Sequence, residues 1–313
     1  MGGAASHSPG CGGTLRRPRL ALRSWALSSI ALCAIALGSE WASAAPELHS
    51  LWELHGKHNT VYLLGSIHTL RSGDYPLAPA VLDAYRNAKS LLMEINLDEV
   101  DSDQVQSQML AGATLADGKS LSEILGPTRY ARAQALARDV GVELSMFDQF
   151  APWFVAEAIS QLQLMQLGFD AQSGVEMYFL ERAHGDGKRV SGLETAQEQI
   201  ALFESLPMET QIEYLMSSLE QAHDLPKQVD EMVHAWQRGD TSWFESELKS
   251  DLGRDPAVYQ SLLVSRNRKW IARIESLLND DQNYLVIVGT AHLVGRDSVL
   301  ELLKRDGVGA TQR

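Results

Sequence analysis

Apolar and polar positions divide the chain into short apolar runs near both ends and amphipathic stretches between them. Residues 60–67 are apolar on both faces and run into Gly65, as a buried strand does. A helix is expected from about Leu77 to Ala88, with Pro76 and Pro79 near its start, where proline is tolerated. Residues 90–97 form a second strand-like run with Glu94 set inside it. From about 103 to 183 the spacing is helical, punctuated by Gly126-Pro127 and Ala151-Pro152. A short strand follows at 188–193, and Thr195 with Glu198 makes a capping box for the next helix. Helices continue to residue 279, the last long one opened by Asp255 as N-cap and Pro256 at its first position. Tyr284 to Val288 is again strand-like and leads through Gly289 to a closing helix at about Asp297 to Arg305. This order predicts an α/β fold: a central sheet from N- and C-terminal strands, carrying a large helical insertion.

The first 44 residues stand apart. Arg16, Arg17, Arg19 and Arg23 precede an apolar run from Trp25 to Leu37, and Ala42-Ser43-Ala44 supplies small residues for cleavage. This is the layout of a secretory signal, with a run shorter than the roughly 20 apolar residues that span a bilayer. The flanks of Arg16-Arg17 fit a twin-arginine route poorly, and Leu32 is too bulky to precede a lipidated Cys33. The expectation is therefore a signal peptide over 1–44 and one domain over 45–313, exported to a periplasm or the medium, with no stable membrane anchor once the signal is gone.

Cleavage after Ala44 removes four arginines and Glu40, taking 27 basic and 40 acidic residues to 23 and 39, a net charge near −16. Both cysteines, Cys11 and Cys33, leave with the signal. A cysteine-free domain has neither disulfides nor a thiol nucleophile and stands on its hydrophobic core. The acidic balance argues against nucleic acid as a partner and leaves a peptide or small molecule.

The candidate chemistry lies in an internal echo. Gly65-Ser66-Ile67-His68 and Gly289-Thr290-Ala291-His292 each follow an apolar strand, so each histidine is delivered at a strand's C-terminal end. Open α/β sheets place their ligand crevices there. If the two strands are neighbours, both imidazoles face one crevice; taken singly, each is equally a hydrogen-bonded turn residue. Glu94, inside Leu-Leu-Met-Glu-Ile, needs a metal, a cation or N–H donors if it is buried. Glu194 closes the strand before the capping box, where the helix dipole alone would also favour it. Arg266 lies on the apolar stripe of Tyr259, Leu263, Trp270, Ile274 and Leu277, with Asn267 beside it, and on a buried face it needs an anionic partner. Histidine with carboxylate suits Mn, Fe, Co or Zn, and an open coordination position would activate water. His49, His55, His58, His184, His223 and His234 have no ligand spacing and read as surface residues. No His-Glu-x-x-His helix, Gly-x-Ser-x-Gly elbow or Walker loop is present.

Gly65-Ser66-Ile67-His68 with Tyr75-Pro76-Leu77, then Leu92-Met93-Glu94, Gly192-Leu193-Glu194-Thr195, Arg266-Asn267 with Trp270, and Gly289-Thr290-Ala291-His292-Leu293 resemble, in order, the TraB/GumN family. The resemblance runs from about Leu51 to the C-terminus. It implies a fold similar to erythromycin esterase and the ChaN haem-binding proteins. That family includes the membrane-anchored Tiki metalloproteases, which use Mn or Co to cleave an amino-terminal stretch from secreted Wnt proteins, and bacterial pheromone-shutdown proteins. The resemblance implies His68, Glu94 and His292 as essential, with Glu194, Arg266 and Asn267 in support. The Tiki membrane setting and the Wnt substrate do not carry over, because a C-terminal anchor is missing here.

The expected function is a divalent-metal-dependent hydrolase, a peptidase in the first instance. His68, His292, Glu94 and Glu194 would be metal ligands, Glu94 also a base, and Arg266 with Asn267 catalytic supports. A non-enzymatic binder of a secreted peptide or small ligand, and a metal-free esterase, are the alternatives.

Overall fold

The computed structural model describes residues 47–100, 102–251 and 256–313. The expected signal and the expected N-cap Asp255 lie outside the described residues.

Strands β1 (Leu51–His55), β2 (Thr60–Ser66), β3 (Ser90–Ile95), β4 (Arg189–Glu194), β5 (Tyr284–Gly289) and β6 (Ala310–Gln312) form one sheet in the order β4-β3-β5-β2-β1-β6. β4, β3, β5 and β2 are parallel to one another, and β1 and β6 add an antiparallel edge. The last long strand thus enters the centre of the sheet, pairing Ser66 with Gly289 on one side and Met93 with Ile287 on the other. The α/β architecture expected from the sequence is present, and the two Gly-x-x-His strands are neighbours.

Helices fill the interval between strands. They are α1 (Pro79–Asn87), α2 (Ser102–Ala113), α3 (Leu121–Asp139), α4 (Pro152–Gln166), α5 (Val175–Asp186) and α6 (Ala196–Glu204). Then come α7 (Met208–Gln221), α8 (Leu225–Gln237), α9 (Thr241–Asp251), α10 (Pro256–Tyr259), α11 (Ser265–Leu277) and α12 (Val299–Arg305). The punctuation marks are where the sequence puts them. Gly126 sits at φ +69° and breaks α3 before Pro127, Pro152 opens α4, and Thr195 and Glu198 cap α6 reciprocally. Some boundaries differ: α1 starts at Pro79 rather than Leu77, a π-helical turn at Gln260–Val264 divides the helix expected from Pro256, and the closing helix starts at Val299 rather than Asp297, because Ser298 caps it by accepting from the Glu301 N–H. Among the described residues no helix is long and apolar enough to cross a membrane.

Alternation along the central strands sends side chains to two cores. Leu64, Leu91, Met93, Leu285 and Ile287 face α1, α5 and α8, while Val61, Leu63, Leu92, Val286 and Val288 face α11 and α12. A parallel sheet covered on both faces explains why these strands read as continuous apolar runs. A third apolar cluster joins α3, α4 and α7, apart from the sheet.

Ile287 is fully buried at the centre of the sheet, whereas Leu48 is 41% exposed. Ile287→Ala is expected to lower stability by about 2–5 kcal/mol and Leu48→Ala by less than about 0.5 kcal/mol, read from urea unfolding midpoints.

Candidate functional site

Four strand ends meet at the C-terminal edge of the parallel strands. Ser66 and Gly289 pair in register, and the Thr290 hydroxyl donates to the Ser66 carbonyl at 3.0 Å, tying the two turns together. β5 then runs into a tight turn, Thr290–Leu293, which carries His292. β2 runs into the segment Ile67-His68, against which the start of α5 docks through the Val175 N–H to the Ile67 carbonyl at 3.1 Å. Gly174 is required at that junction, since a Cβ there would lie 2.1 Å from the His68 carbonyl oxygen.

The two imidazoles have opposite surroundings. His292 is 4% exposed, its ring 4.5 Å from that of Trp270. Its Nδ1 lies 2.6 Å from Asn267 Oδ1, and Asn267 Nδ2 donates to the Asp297 carbonyl at 2.8 Å, so the amide oxygen is the group facing the imidazole. Nδ1–H therefore donates and Nε2 keeps its lone pair. Burial pushes the His292 pKa down to about 3, so the ring is neutral at neutral pH. His68 has a side chain 65% exposed to the cleft and places Nδ1 2.8 Å from Glu176 Oε1. The Glu176 carboxylate raises the His68 pKa to about 9, against the opposing effect of burial. Ser66 Oγ donates to the same Glu176 oxygen. Glu176, in the first turn of α5, escaped the sequence reading because an acid there is ordinary helix chemistry.

Glu94 and Glu194, 7% and 8% exposed, are held by Arg266 from α11. The guanidinium has five N–H bonds, and all five are used. Nη2 donates to Glu94 Oε2 and Glu194 Oε1, both at 2.5 Å, Nε to Glu194 Oε1 at 2.9 Å, and Nη1 to the Leu262 carbonyl and to His292 Nε2, both at 3.1 Å. Arg266 thus finds its anionic partners within the chain, and no N–H remains for a substrate group. Gln199 of α6, also unforeseen, donates to both carboxylates, at 3.2 Å to Glu94 and 2.8 Å to Glu194. Glu94 Oε1 accepts the Gly289 N–H at 2.6 Å. Burial pushes the Glu94 pKa up, but His292 when charged, Arg266, His68 and the Gly289 N–H outweigh it and bring it to about 2. Since His292 is neutral at neutral pH, Arg266 and the protonated His68 are the cations that keep Glu94 ionised there.

His68, Glu94 and His292 converge over Gly289. A Cβ at that position would stand 3.3 Å from Glu94 Oε1, 3.4 Å from His68 Nε2 and 3.6 Å from His292 Cδ2. Glycine leaves that space free. Glu194 does not reach it, being turned to Arg266 and Gln199, and Asn267 acts only through His292. Among the described residues no three His, Cys, Asp or Glu side chains already surround a single ion position, as the Arg266 N–H on His292 Nε2 shows. Charge nevertheless favours a cation. At neutral pH three carboxylates (Glu94, Glu176, Glu194) face the Arg266 guanidinium and the protonated His68, an excess of one negative charge that becomes two when His68 gives up its proton.

His68, Gly289 and His292 floor a cleft of about 910 Å³, walled by residues of α4, α7, α8 and α9 that include Leu164, Tyr214, Val229 and Trp243. A smaller cavity of about 190 Å³, between Ser50, Pro76 and Trp236, is lined by His49 and Asp74 and by none of the residues over Gly289.

The model of the TraB/PrgY/gumN family matches residues 50–312. The chain belongs to the TraB/PrgY/gumN family. It is 24% identical over 243 residues to the uncharacterized protein YbaP of Escherichia coli (strain K12), covering 78% of this chain and 87% of YbaP. It is 19% identical over 268 residues to an uncharacterized protein of Treponema pallidum (strain Nichols), covering 81% and 80%. No solved structure matches. All the motif residues that carried the sequence-level resemblance, from Gly65 to Leu293, fall within the TraB/PrgY/gumN match.

Arg266→Leu would leave Glu94 and Glu194 buried without their cation. It is expected to cost about 3–5 kcal/mol at pH 7. Glu94 has a depressed pKa, so its contribution is present above about 4.5 and lost as pH falls towards about 2. The deficit of the variant should therefore shrink between pH 7 and pH 3, measured by urea unfolding of both proteins.

Proposed function

We propose that this TraB/PrgY/gumN protein is an exported divalent-metal-dependent hydrolase that cleaves peptide bonds. One observation supports the reading above the others: His68 Nε2 and Glu94 Oε1 converge with His292 on the bare face of Gly289. Each imidazole, moreover, spends its Nδ1–H on an oxygen outside the crevice. That outer hydrogen bond is characteristic of metal-bound histidine. His68, Glu94 and His292 would hold the ion, His292 after releasing the Arg266 N–H and His68 after releasing its proton, and the resulting excess of two negative charges suits a divalent cation. A bound divalent ion would supply Lewis acidity and a water of lowered pKa.

The chain's own residues prepare the site. Arg266 and Gln199 keep Glu94 ionised and aimed at Gly289, Asn267 fixes the His292 tautomer, and Glu176 fixes that of His68. The aromatic and aliphatic wall of the cleft limits the water that competes for these charges. Mass spectrometry of the mature protein, purified without chelator or a His-tag, is expected to find near one equivalent of Mn, Fe, Co or Zn and a chain starting after Ala44. The His68→Ala/His292→Ala double variant should lose the metal. No uptake by either protein, after incubation with each ion, would overturn the metal site.

The raised His68 pKa adds a pH signature. Below about 9 the imidazole binds a proton that an ion must displace, so affinity should rise with pH and level off above that value. Between pH 7 and 8.5 the manganese association constant is expected to rise about tenfold per unit. Glu176→Gln should flatten the slope in calorimetric titrations.

A metal-free hydrolase is favoured by one specific contact, the Arg266 N–H on His292 Nε2, which leaves His68, of these two imidazoles, free for proton transfer. In that case chelators leave turnover intact.

A further inference from the structure

Beside the cleft lies a second ionisable pair that the groups over Gly289 do not use. On α4, Gln161 and Leu164 line the cleft, and Glu157 lies one turn before Gln161 on the same helix face. Tyr214 of α7 also lines the cleft and donates its phenolic hydrogen to Glu157 Oε1. Both residues are half-buried. Burial pushes the Glu157 carboxyl up, and the phenol is the one group that opposes it; no Lys, Arg or His of the described residues acts on it.

A clamp between α4 and α7 does not require a carboxylate. Val155, Ala156, Ile159, Ile212, Leu215 and Leu219 already join these helices through an apolar cluster. A half-buried carboxylate with one neutral donor costs stability without adding to that packing, and beside a cleft such a group marks ligand contact. The surroundings favour a cation. The cleft lining includes Glu213, Glu220 and Glu247 and, among the described residues, no Lys or Arg. Arg129 and Arg132 meet Glu213 and Glu220 from α3.

We propose that Glu157, with Tyr214 and Gln161, forms a subsite for a primary ammonium or guanidinium group, so that the cleft selects peptides carrying a cation. The choice of peptides rests on the hydrolase reading; the subsite itself does not. The cation would displace the Tyr214 hydroxyl from one carboxylate oxygen or add to the other, giving a charge-assisted bond.

The test uses synthetic decapeptides with one neutral core: amino terminus free, acetylated with one Lys, acetylated with one Arg, or acetylated with neither. With manganese supplied, at least one cationic peptide should exceed the neutral one in kcat/KM by about tenfold or more, and the peptide that does so identifies the source of the cation. Glu157→Gln should bring that ratio near one, while Glu209→Gln, an exposed carboxylate on α7, should leave it in place. No preference in the wild type, or an unchanged ratio in Glu157→Gln, overturns the subsite. If no peptide is cleaved, the hydrolase reading fails instead, and the subsite is read directly by NMR of 13C-labelled tyrosine. There n-butylammonium or n-butylguanidinium should shift the Tyr214 resonance saturably in the wild type, and no shift would overturn the proposal. Should Glu157→Gln not fold, Tyr214→Phe replaces it, with a reduced ratio expected and an unchanged one overturning.

Discussion

Two carboxylates buried at the ends of adjacent parallel strands have to share a cation, and the placement of much of the structure follows from that need. β3 and β4 bring Glu94 and Glu194 together, and neither position is tolerable for an ionised side chain on its own. Arg266 meets both, which requires α11 to lie across the sheet face formed by Leu92, Val286 and Val288. Trp270, Ile274 and Leu277 provide that packing one to three turns further along. Before Arg266, the π-helical turn Gln260–Val264 puts the Leu262 carbonyl under Nη1, so the guanidinium is held from its own helix as well. Widened turns of this kind recur where a functional side chain must be aimed. The stripe through Tyr259, Leu263 and Trp270 therefore carries an arginine because the sheet supplies the anions.

The two histidine turns are alike in sequence and different in chemistry. His292 follows the central strand β5, so α11 covers it and Asn267 and Trp270 enclose it. Its neighbour at Nδ1 is a neutral amide, and it stays uncharged. His68 follows β2, and the segment after it opens into the cleft, where a carboxylate rather than an amide meets Nδ1. One imidazole is thereby kept as a permanent lone pair and the other as a group that can hold or release a proton. Similar motifs do not imply identical roles; the surrounding residues decide.

Much of this was legible in the sequence, for physical reasons that can be named. Central parallel strands buried on both faces are continuous apolar runs, so β2, β3 and β5 were visible, and Glu94 stood out against its run. The buried-arginine anomaly at Arg266 was visible because helical periodicity is strict. The antiparallel strands β1 and β6 were not. β1 mixes Glu53 and His55 into five residues, and β6 is three residues ending the chain, so neither has a pattern distinct from a loop. Glu176 and Gln199 were also hidden, because both sit in first turns of helices where polar residues are commonplace. Their roles come from tertiary approach alone. Arg266 was expected to need an anionic partner, and only coordinates could show that Glu94 and Glu194 supply it and that its five N–H bonds are already committed.

The long helical insertion then has a reason beyond joining strands. A sheet edge carrying an excess of negative charge would be flooded and screened by water if left open. α4, α7, α8 and α9 rise over that edge with Leu164, Val229, Met232, Trp243 and Phe244 facing the cleft. The cluster of α4 and α7 with α3 is independent of the sheet, whereas α8 and α9 pack on the sheet through Val229, Val233 and Phe244, so the α4–α7 part of this roof can vary in shape without disturbing Arg266 and its carboxylates. The division of labour is therefore spatial. Strand ends and α11 set which bond chemistry is within reach, and the insertion sets which molecule is brought to it. On that account the sheet edge should explain reactivity, while selectivity should be sought on α4 and α7, where a lone carboxylate already interrupts an otherwise apolar contact.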